Sequence, residues 1–560
     1  MSTVAITFAG QPLEAEAGES LAAALTAHGI RVFRTTRSGA ERGIFCGMGV
    51  CQDCLVEIDG KPSQRACMTK VERPMRVERG ADTRVARPTR TGAPITIDKV
   101  PVIEPEILVV GGGPAGLAAA IAARRAGAGV MLIDERSSLG GQYYKQLAAD
   151  RGIAGDRQHR RGASLIEEAL RLGVDTRPGM TVWGAFPPNE LLAGAIGTAV
   201  RFRPERLILA TGAYERAVPI PGWTLPGVMT TGAAQTLWRS ARRLPGRRVL
   251  IAGNGPLNLQ LATELLAGGA EVLAVVEAAE PFARKPAALL KMAIASPDLV
   301  GEGLRHRARL LRASVPLAYA SVVRRIDPGG GGLNVSITRI DGGGETAFRD
   351  VDAVCLGYGF EPSNELLRAL DARHVFDPIR GYLAPERDQD GRTSNPAVFA
   401  VGDCTGLGGA NAALVEGGIA GAAAAADLGH KTAAGELAGA CRTLARHRRF
   451  QSALWQLFAA PRFLLELADR ETILCRCEEV TVDAVESALA EGYATSGEVK
   501  RRTRAGMGRC QGRYCGPILD ALIAERSGRE RNAYSGFAPR APARPFAIED
   551  LLAAGDADQG

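Results

Sequence analysis

Eight of the eleven cysteines fall into two quartets, and nothing else in this chain restricts its fold so tightly. The first runs Cys46-x4-Cys51-x2-Cys54-x12-Cys67, and the second runs Cys475-x-Cys477-x32-Cys510-x4-Cys515. The total is odd, and the first residues (MSTVAITF) hold no basic segment leading into an apolar run. Both features argue against an exported disulfide framework and for reduced thiolates used as ligands. Structural zinc is the alternative at both quartets, although Cys-x4-Cys-x2-Cys is uncommon for it. Each quartet therefore predicts a small unit wrapped around a metal centre, one near each end of the 560 residues. Cys355, Cys404 and Cys441 are scattered and read as small apolar residues.

The first three ligand positions match the plant-type [2Fe–2S] spacing, in a glycine-rich loop (CGMGVCQDC) whose backbone N–H groups can donate to sulfur. The short interval to Cys67 resembles instead the ferredoxin domains of the succinate dehydrogenase and molybdenum hydroxylase families. Two alternating strand patterns, a helical run with Ser20 as its N-cap and a strand-like CLVEIDG frame a β-grasp-type unit over 1–80. The second quartet resembles the bacterioferritin-associated-ferredoxin type of [2Fe–2S] domain, a small and mainly helical unit over 472–531. Its cysteine pairs precede helical patterns, Val482 to Glu491 and Ile518 to Glu525, so helix N-termini can face an anionic centre. Lys500, Arg501, Arg502, Arg504, Arg509 and Arg513 crowd beside Cys510. They read as a solvated face or as charge compensation rather than a nucleic-acid arm, because a net charge of +7 over 560 residues is dilute.

Between the cysteine units, buried-strand runs alternate with Ala/Leu-rich helical stretches, the pattern of a parallel sheet covered on both faces. The run ILVV-Gly111-Gly112-Gly113-Pro114-Ala115-Gly116 is a strand, a Gly-x-Gly-x-x-Gly turn and a helix start, and VMLID ends at Asp134. Gly111 permits the turn, Gly113 admits a pyrophosphate to the backbone, and Gly116 lets helix and strand approach. Asp134, or else Glu135, is the candidate for the ribose hydroxyls, with Arg136, Gly141 and Gln142 as further cofactor-binding candidates. The segments LILATG, containing Thr211 and Gly212, and AVFAVGDCTG, containing Gly402 and Asp403, resemble those of the two-dinucleotide flavoprotein reductases. That resemblance implies FAD, with Asp403 on its ribityl chain.

A second unit, RVLIAGNGPLN, offers Gly253 and Gly255 but carries Asn258 where the third glycine belongs, so closer helix–strand packing is forgone. Glu277 could accept a ribose 2′-hydroxyl, favouring NAD over NADP; a retained scaffold that binds a nucleotide weakly or not at all is the alternative. Gly140-Gly141 leads into QYYKQLAAD, and 217–345 contains no cysteine, so the chain lacks the dithiol of the disulfide reductases. The fold class is α/β: a glutathione-reductase-like Rossmann pair flanked by the two iron–sulfur units. The expected domains are 1–80, a connector 81–105, an FAD unit from 106–216 and 346–430, and an NAD-binding-like unit 217–345. A helical connector 431–471, the second cluster unit 472–531 and a Pro/Ala-rich tail 532–560 complete the chain. Trp455, Phe458, Phe463 and Leu464 make an apolar face on the connector.

No stretch of eighteen residues is free of charge and turn signals, so no membrane span is expected and the chain is placed in the cytoplasm. The six histidines have no HExxH-like spacing, and there is no Gly-x-Ser-x-Gly elbow. A flavin unit set between two iron–sulfur units suits exchange between two-electron and one-electron carriers. The domain order, with ATGAYERAVPIPGWTLPGVMTTGAAQTL, resembles the alpha subunits of heteromeric amino-acid and amine oxidases or dehydrogenases. That family includes hydrogen cyanide synthase, opine oxidases, hydroxyproline dehydrogenase and sarcosine oxidase. The resemblance implies a beta subunit of D-amino-acid-oxidase type that oxidises the C–N bond with its own flavin, and in sarcosine oxidase an FMN at the subunit boundary. Electrons would leave to a quinone, a carrier or oxygen. A self-contained NADH:acceptor oxidoreductase and a protein that merely stores clusters are the other readings.

Overall fold

The computed structural model describes residues 3–81, 100–148, 155–195, 197–281, 285–431 and 434–548. Most of the stretch expected as a connector lies outside them. Its end does not: Val102–Ile103 pairs with Thr198–Phe202 and closes a four-stranded sheet.

The N-terminal unit wraps a mixed sheet around the helix Leu21–Ala27, whose N-cap Ser20 accepts from the Ala23 N–H at 3.2 Å. Two parallel five-stranded sheets follow. The first, in the order Asp175–Pro178, Val130–Asp134, Ile107–Val110, Arg206–Leu209 and Val398–Ala400, carries the first glycine turn at its centre. The second runs Val228–Thr230, Ala353–Gly357, Arg248–Gly253, Glu271–Glu277 and Leu317–Tyr319. Ala353–Gly357 thus lies inside the inserted unit, which extends past the expected boundary at 345. In sequence its run of buried apolar residues looks like a return strand of the outer sheet. A short ribbon, Ala213–Glu215 against Phe360–Pro362, joins the two units.

The helices Pro114–Arg125 and Ala410–Ala426 press together so closely that a Cβ on Gly417 would stand 2.0 Å from the Ala115 carbonyl.

The connector helix spans Ala434–Leu457. Phe463 and Leu464 follow it in irregular chain, so the expected apolar face is split; Phe458 and Phe463 are buried all the same. The C-terminal unit holds the helices Val482–Ala490, Ser496–Thr503 and Gly516–Ser527. Among the described residues no helix is long and apolar enough to cross a membrane. Cys355 and Cys404 are buried, whereas Cys441 is exposed on the connector helix and is not a core residue. The described part of the tail packs back onto both the C-terminal unit and the four-stranded sheet, where Phe546 stacks on Trp183.

Candidate functional site

A cavity of about 600 Å³ opens beside the first glycine turn. Gly111, Gly113, Pro114, Ala115, Asp134, Glu135, Arg136, Gly141, Gln142, Thr211, Gly212, Gly402 and Asp403 all line it. Gly116 stands behind the wall, where a Cβ would meet the Gly111 carbonyl at 1.8 Å. Gly141 (φ +63°) runs so close to Gly113 that an added Cβ would lie 2.7 Å from its Cα, leaving a bare backbone trough suited to a pyrophosphate.

Asp134 braces this trough. Its carboxylate accepts from the Gly112 N–H at 2.6 Å and the Arg136 N–H at 2.7 Å, while burial pushes it up to about 6. Glu135 is the freer of the two candidate carboxylates. Asp403 is fixed through one oxygen by the Gly408 and Gly409 N–H groups at 3.1 and 3.0 Å. Arg136 Nη1 is buried in the cavity wall without a partner. A guanidinium with an unsatisfied buried donor beside a glycine trough fits the phosphates of a dinucleotide.

Deeper in the cavity sit two groups that sequence reasoning missed. Burial brings Lys145 down to about 7, and its ammonium donates to the Gln142 carbonyl and to Gln235 Oε1. Burial brings Glu215 up to about 7, although the Gly232 N–H donates to its carboxylate at 2.9 Å. Glu215 stands in the ATGAYER segment and Lys145 just after Gly140-Gly141, but neither position says that its side chain turns inward.

The same cavity is walled by Cys46, Met48 and Val50 of the first cysteine loop. In the first quartet Cys46 stands beside Cys51, and Cys54 beside Cys67. In the second quartet Cys475 pairs with Cys515 and Cys477 with Cys510. Among the described residues no three His, Cys, Asp or Glu converge as ligands of one ion would. Sulfurs grouped two by two fit a dinuclear iron centre, in which each iron takes two thiolates, better than one tetrahedral zinc. Backbone N–H groups of Met48 and Cys51 point at the Cys46 sulfur at 3.5 and 3.4 Å. Burial alone raises that thiol, but these bonds and the one from Cys51 outweigh it and bring it to about 6.

The two quartets do not flank the flavin cavity as their places in the chain suggest. They adjoin each other, with Cys477 Sγ 3.9 Å from the Cys51 carbonyl oxygen. The seam is a buried ion pair between the residue preceding Cys54 and the residue preceding Cys477. Arg476 Nε donates to Asp53 Oδ2 at 2.8 Å, and the side chains are 4% and 1% exposed. Arg34 reaches Asp53 from the other side at 3.3 Å. The Arg476 guanidinium lies over the Phe45 ring at 3.8 Å and the Trp223 ring at 4.7 Å. An arginine between two ligand cysteines was the one available signal, and spacing alone did not say what it faces. Three of the six basic residues near Cys510 are held in ion pairs: Arg502 with Glu491, Arg504 with Glu478 and Arg513 with Glu365.

The second glycine turn is arranged differently. Gly253, Gly255 and Glu277 lie outside the cavity, though Pro256 and Leu257 border it. The Glu277 carboxylate, raised by burial to about 7, accepts from the Gly255 N–H at 2.9 Å and the Ala279 N–H at 3.0 Å. Asn254 donates to the Phe458 carbonyl at 2.9 Å, so the connector is tied to the turn. Asn258 is accommodated by bonding to Thr231 Oγ1 and the Gly357 carbonyl.

Fold and site together define an FAD-type oxidoreductase flanked by two [2Fe–2S] domains. Models of known families agree: a 2Fe-2S iron-sulfur cluster binding domain matches residues 1–82, a pyridine nucleotide-disulphide oxidoreductase 105–429, and a BFD-like [2Fe-2S] binding domain 473–525. The A subunit of opine oxidase from Agrobacterium tumefaciens is 33% identical over 80% of this chain and 91% of its own length. The HcnB subunit of hydrogen cyanide synthase from Pseudomonas aeruginosa is 33% identical over 78% and 96%. A crystal structure of L-proline dehydrogenase from P. horikoshii shares the fold, with TM-score 0.72 at 20% identity over 98% of this chain and 97% of that one. The chain belongs to the pyridine nucleotide-disulphide oxidoreductases, in the group that contains HcnB and the opine oxidase A subunits.

Proposed function

We propose that this chain is the electron-transfer subunit of a heteromeric flavin-dependent amine or amino-acid dehydrogenase or oxidase. Its substrate class is opine-, hydroxyproline-, sarcosine- or glycine-like. A partner subunit of D-amino-acid-oxidase type oxidises the C–N bond, and this chain passes the two electrons on to a quinone, a carrier or oxygen. The names of its relatives, both subunits of larger oxidases or synthases, support that division of labour.

The observation that carries the reading is contiguity. Cys46 lines the dinucleotide cavity, and Cys477 of the second quartet touches the backbone of Cys51 in the first. A bound FAD supplies two-electron chemistry, and each [2Fe–2S] centre one-electron chemistry. The residues supply the rest. Gly113 and Gly141 hold the trough open, Phe45 and Trp223 keep water from the seam, and the Asp53–Arg476 pair holds the two ligand loops in register. Lys145 and Glu215, both brought near neutrality by burial, can give up or hold a proton beside the cavity as its charge changes.

The test is to assay secondary amino acids with a dye acceptor, using the chain alone and the chain in complex with a flavoprotein that co-purifies with it from its host. Turnover is expected only from the pair. Robust turnover by the isolated chain overturns the assignment.

A further inference from the structure

The segment after the last helix leaves the second cluster unit and returns to the dinucleotide cavity, and nothing in the motifs anticipated this. It is anchored at both ends. At one end the Phe537 ring packs on Gly506, Gly512 and Gly516, around the second quartet's loop, and Arg368 Nη2 donates to the Phe537 carbonyl at 2.9 Å. At the other end the Ala543 N–H donates to the Trp183 carbonyl at 2.6 Å, and Phe546 stacks on Trp183 with ring centroids 5.1 Å apart. Arg513, from the cluster loop, donates to the Ala543 carbonyl at 3.0 Å.

Between these anchors Ala543 and Arg544 form part of the cavity wall. The Arg544 side chain is 14% exposed and its Nε stands 3.9 Å from Glu135 Oε2. Its Nη1 is buried without a partner, as is Nη1 of Arg136 in the same wall. A guanidinium is donor-only, so a buried unsatisfied N–H on it calls for an acceptor that the protein does not provide. Two such donors beside a glycine trough point to phosphate oxygens.

We propose that Arg544 is a cofactor-binding residue supplied by the C-terminal segment. It donates Nη1 to the adenosine-diphosphate half of FAD and orients Glu135, so that the segment straps the cofactor in place. The inference rests on the FAD reading of the cavity. It also makes flavin retention depend on the folded C-terminal cluster unit, because Phe537 and Arg513 hold the strap.

The test measures FAD release from the full-length holoprotein under anaerobic conditions, by the rise in flavin fluorescence, with visible circular dichroism reporting both clusters. Loss of one buried, charge-assisted hydrogen bond predicts release about 10- to 100-fold faster in Arg544→Ala. Arg544→Gln keeps the stem between the same neighbours and is expected to release FAD comparably fast, with cluster signals unchanged. Arg540→Ala, an exposed position on the same segment, is expected to match the unaltered protein. Release within twofold of the unaltered protein in Arg544→Gln overturns the strap. Absence of flavin from the unaltered protein overturns the FAD reading instead.

Discussion

Removing Arg476 tests whether the two cysteine units are joined by a specific electrostatic seam or merely lie side by side. The pair with Asp53 is almost fully buried, at 4% and 1% exposure, and loss of one partner of such a pair costs about 3–5 kcal/mol. Arg34 remains 3.3 Å from Asp53 and shields part of the stranded charge, which places the electrostatic share for Arg476→Met near the lower bound, about 3 kcal/mol. Withdrawing the cation from between Phe45 and Trp223 adds about 1 kcal/mol. At about 1.4 kcal/mol per decade, the total corresponds to about a thousandfold shift in the opening equilibrium. The measurement is a double-mutant cycle with Asp53→Asn in urea, anaerobically, followed by visible circular dichroism. A coupling energy of about 2 kcal/mol or more is expected. Electron paramagnetic resonance of the fully reduced protein adds an independent readout: mutual broadening of the two cluster signals, lost in Arg476→Met. A coupling below about 0.5 kcal/mol, together with unbroadened signals in the unaltered protein, refutes the seam.

Cys54→Ala should leave about two irons per chain where about four are expected, with the C-terminal centre retained; iron and zinc analysis of anaerobic material reads this, and zinc in place of iron defeats the assignment. Lys145→Met should be more stable than the unaltered protein at pH 6 and progressively less so towards pH 9. A lysine held near 7 when folded but at 10.5 when unfolded binds fewer protons in the native state, a penalty that fades as pH rises through that window. Two pH units of that window amount to up to about 2.7 kcal/mol, read from urea midpoints of flavin-free protein. NADH is expected to bleach the flavin slowly or not at all in stopped flow, because the connector is tied to the second glycine turn; fast, saturable bleaching would favour the NADH:acceptor reading.

Much of this molecule is legible without coordinates because its chemistry is local in the chain. Three ligands of the first quartet stand within nine residues, Cys46 to Cys54, and the strand, turn and helix around Gly111 to Gly116 form one supersecondary unit. Spacing and periodicity reach that far. They fail where a strand belongs to a sheet assembled from distant pieces: Ala353–Gly357 looks the same in sequence whichever sheet it enters.

By itself the sequence determined the two iron–sulfur domains, the nucleotide turn and the family, since each rests on residue patterns that recur within one short unit of the chain. Only the tertiary structure decided that the quartets adjoin, that Arg476 meets Asp53, that Lys145 and Glu215 face the cavity, and that Arg544 lines it. The contacts of Asp53 with Arg476 and of Cys51 with Cys477 join segments more than four hundred residues apart. They depend on how apolar faces from four parts of the chain bury one another, and no local pattern encodes that choice.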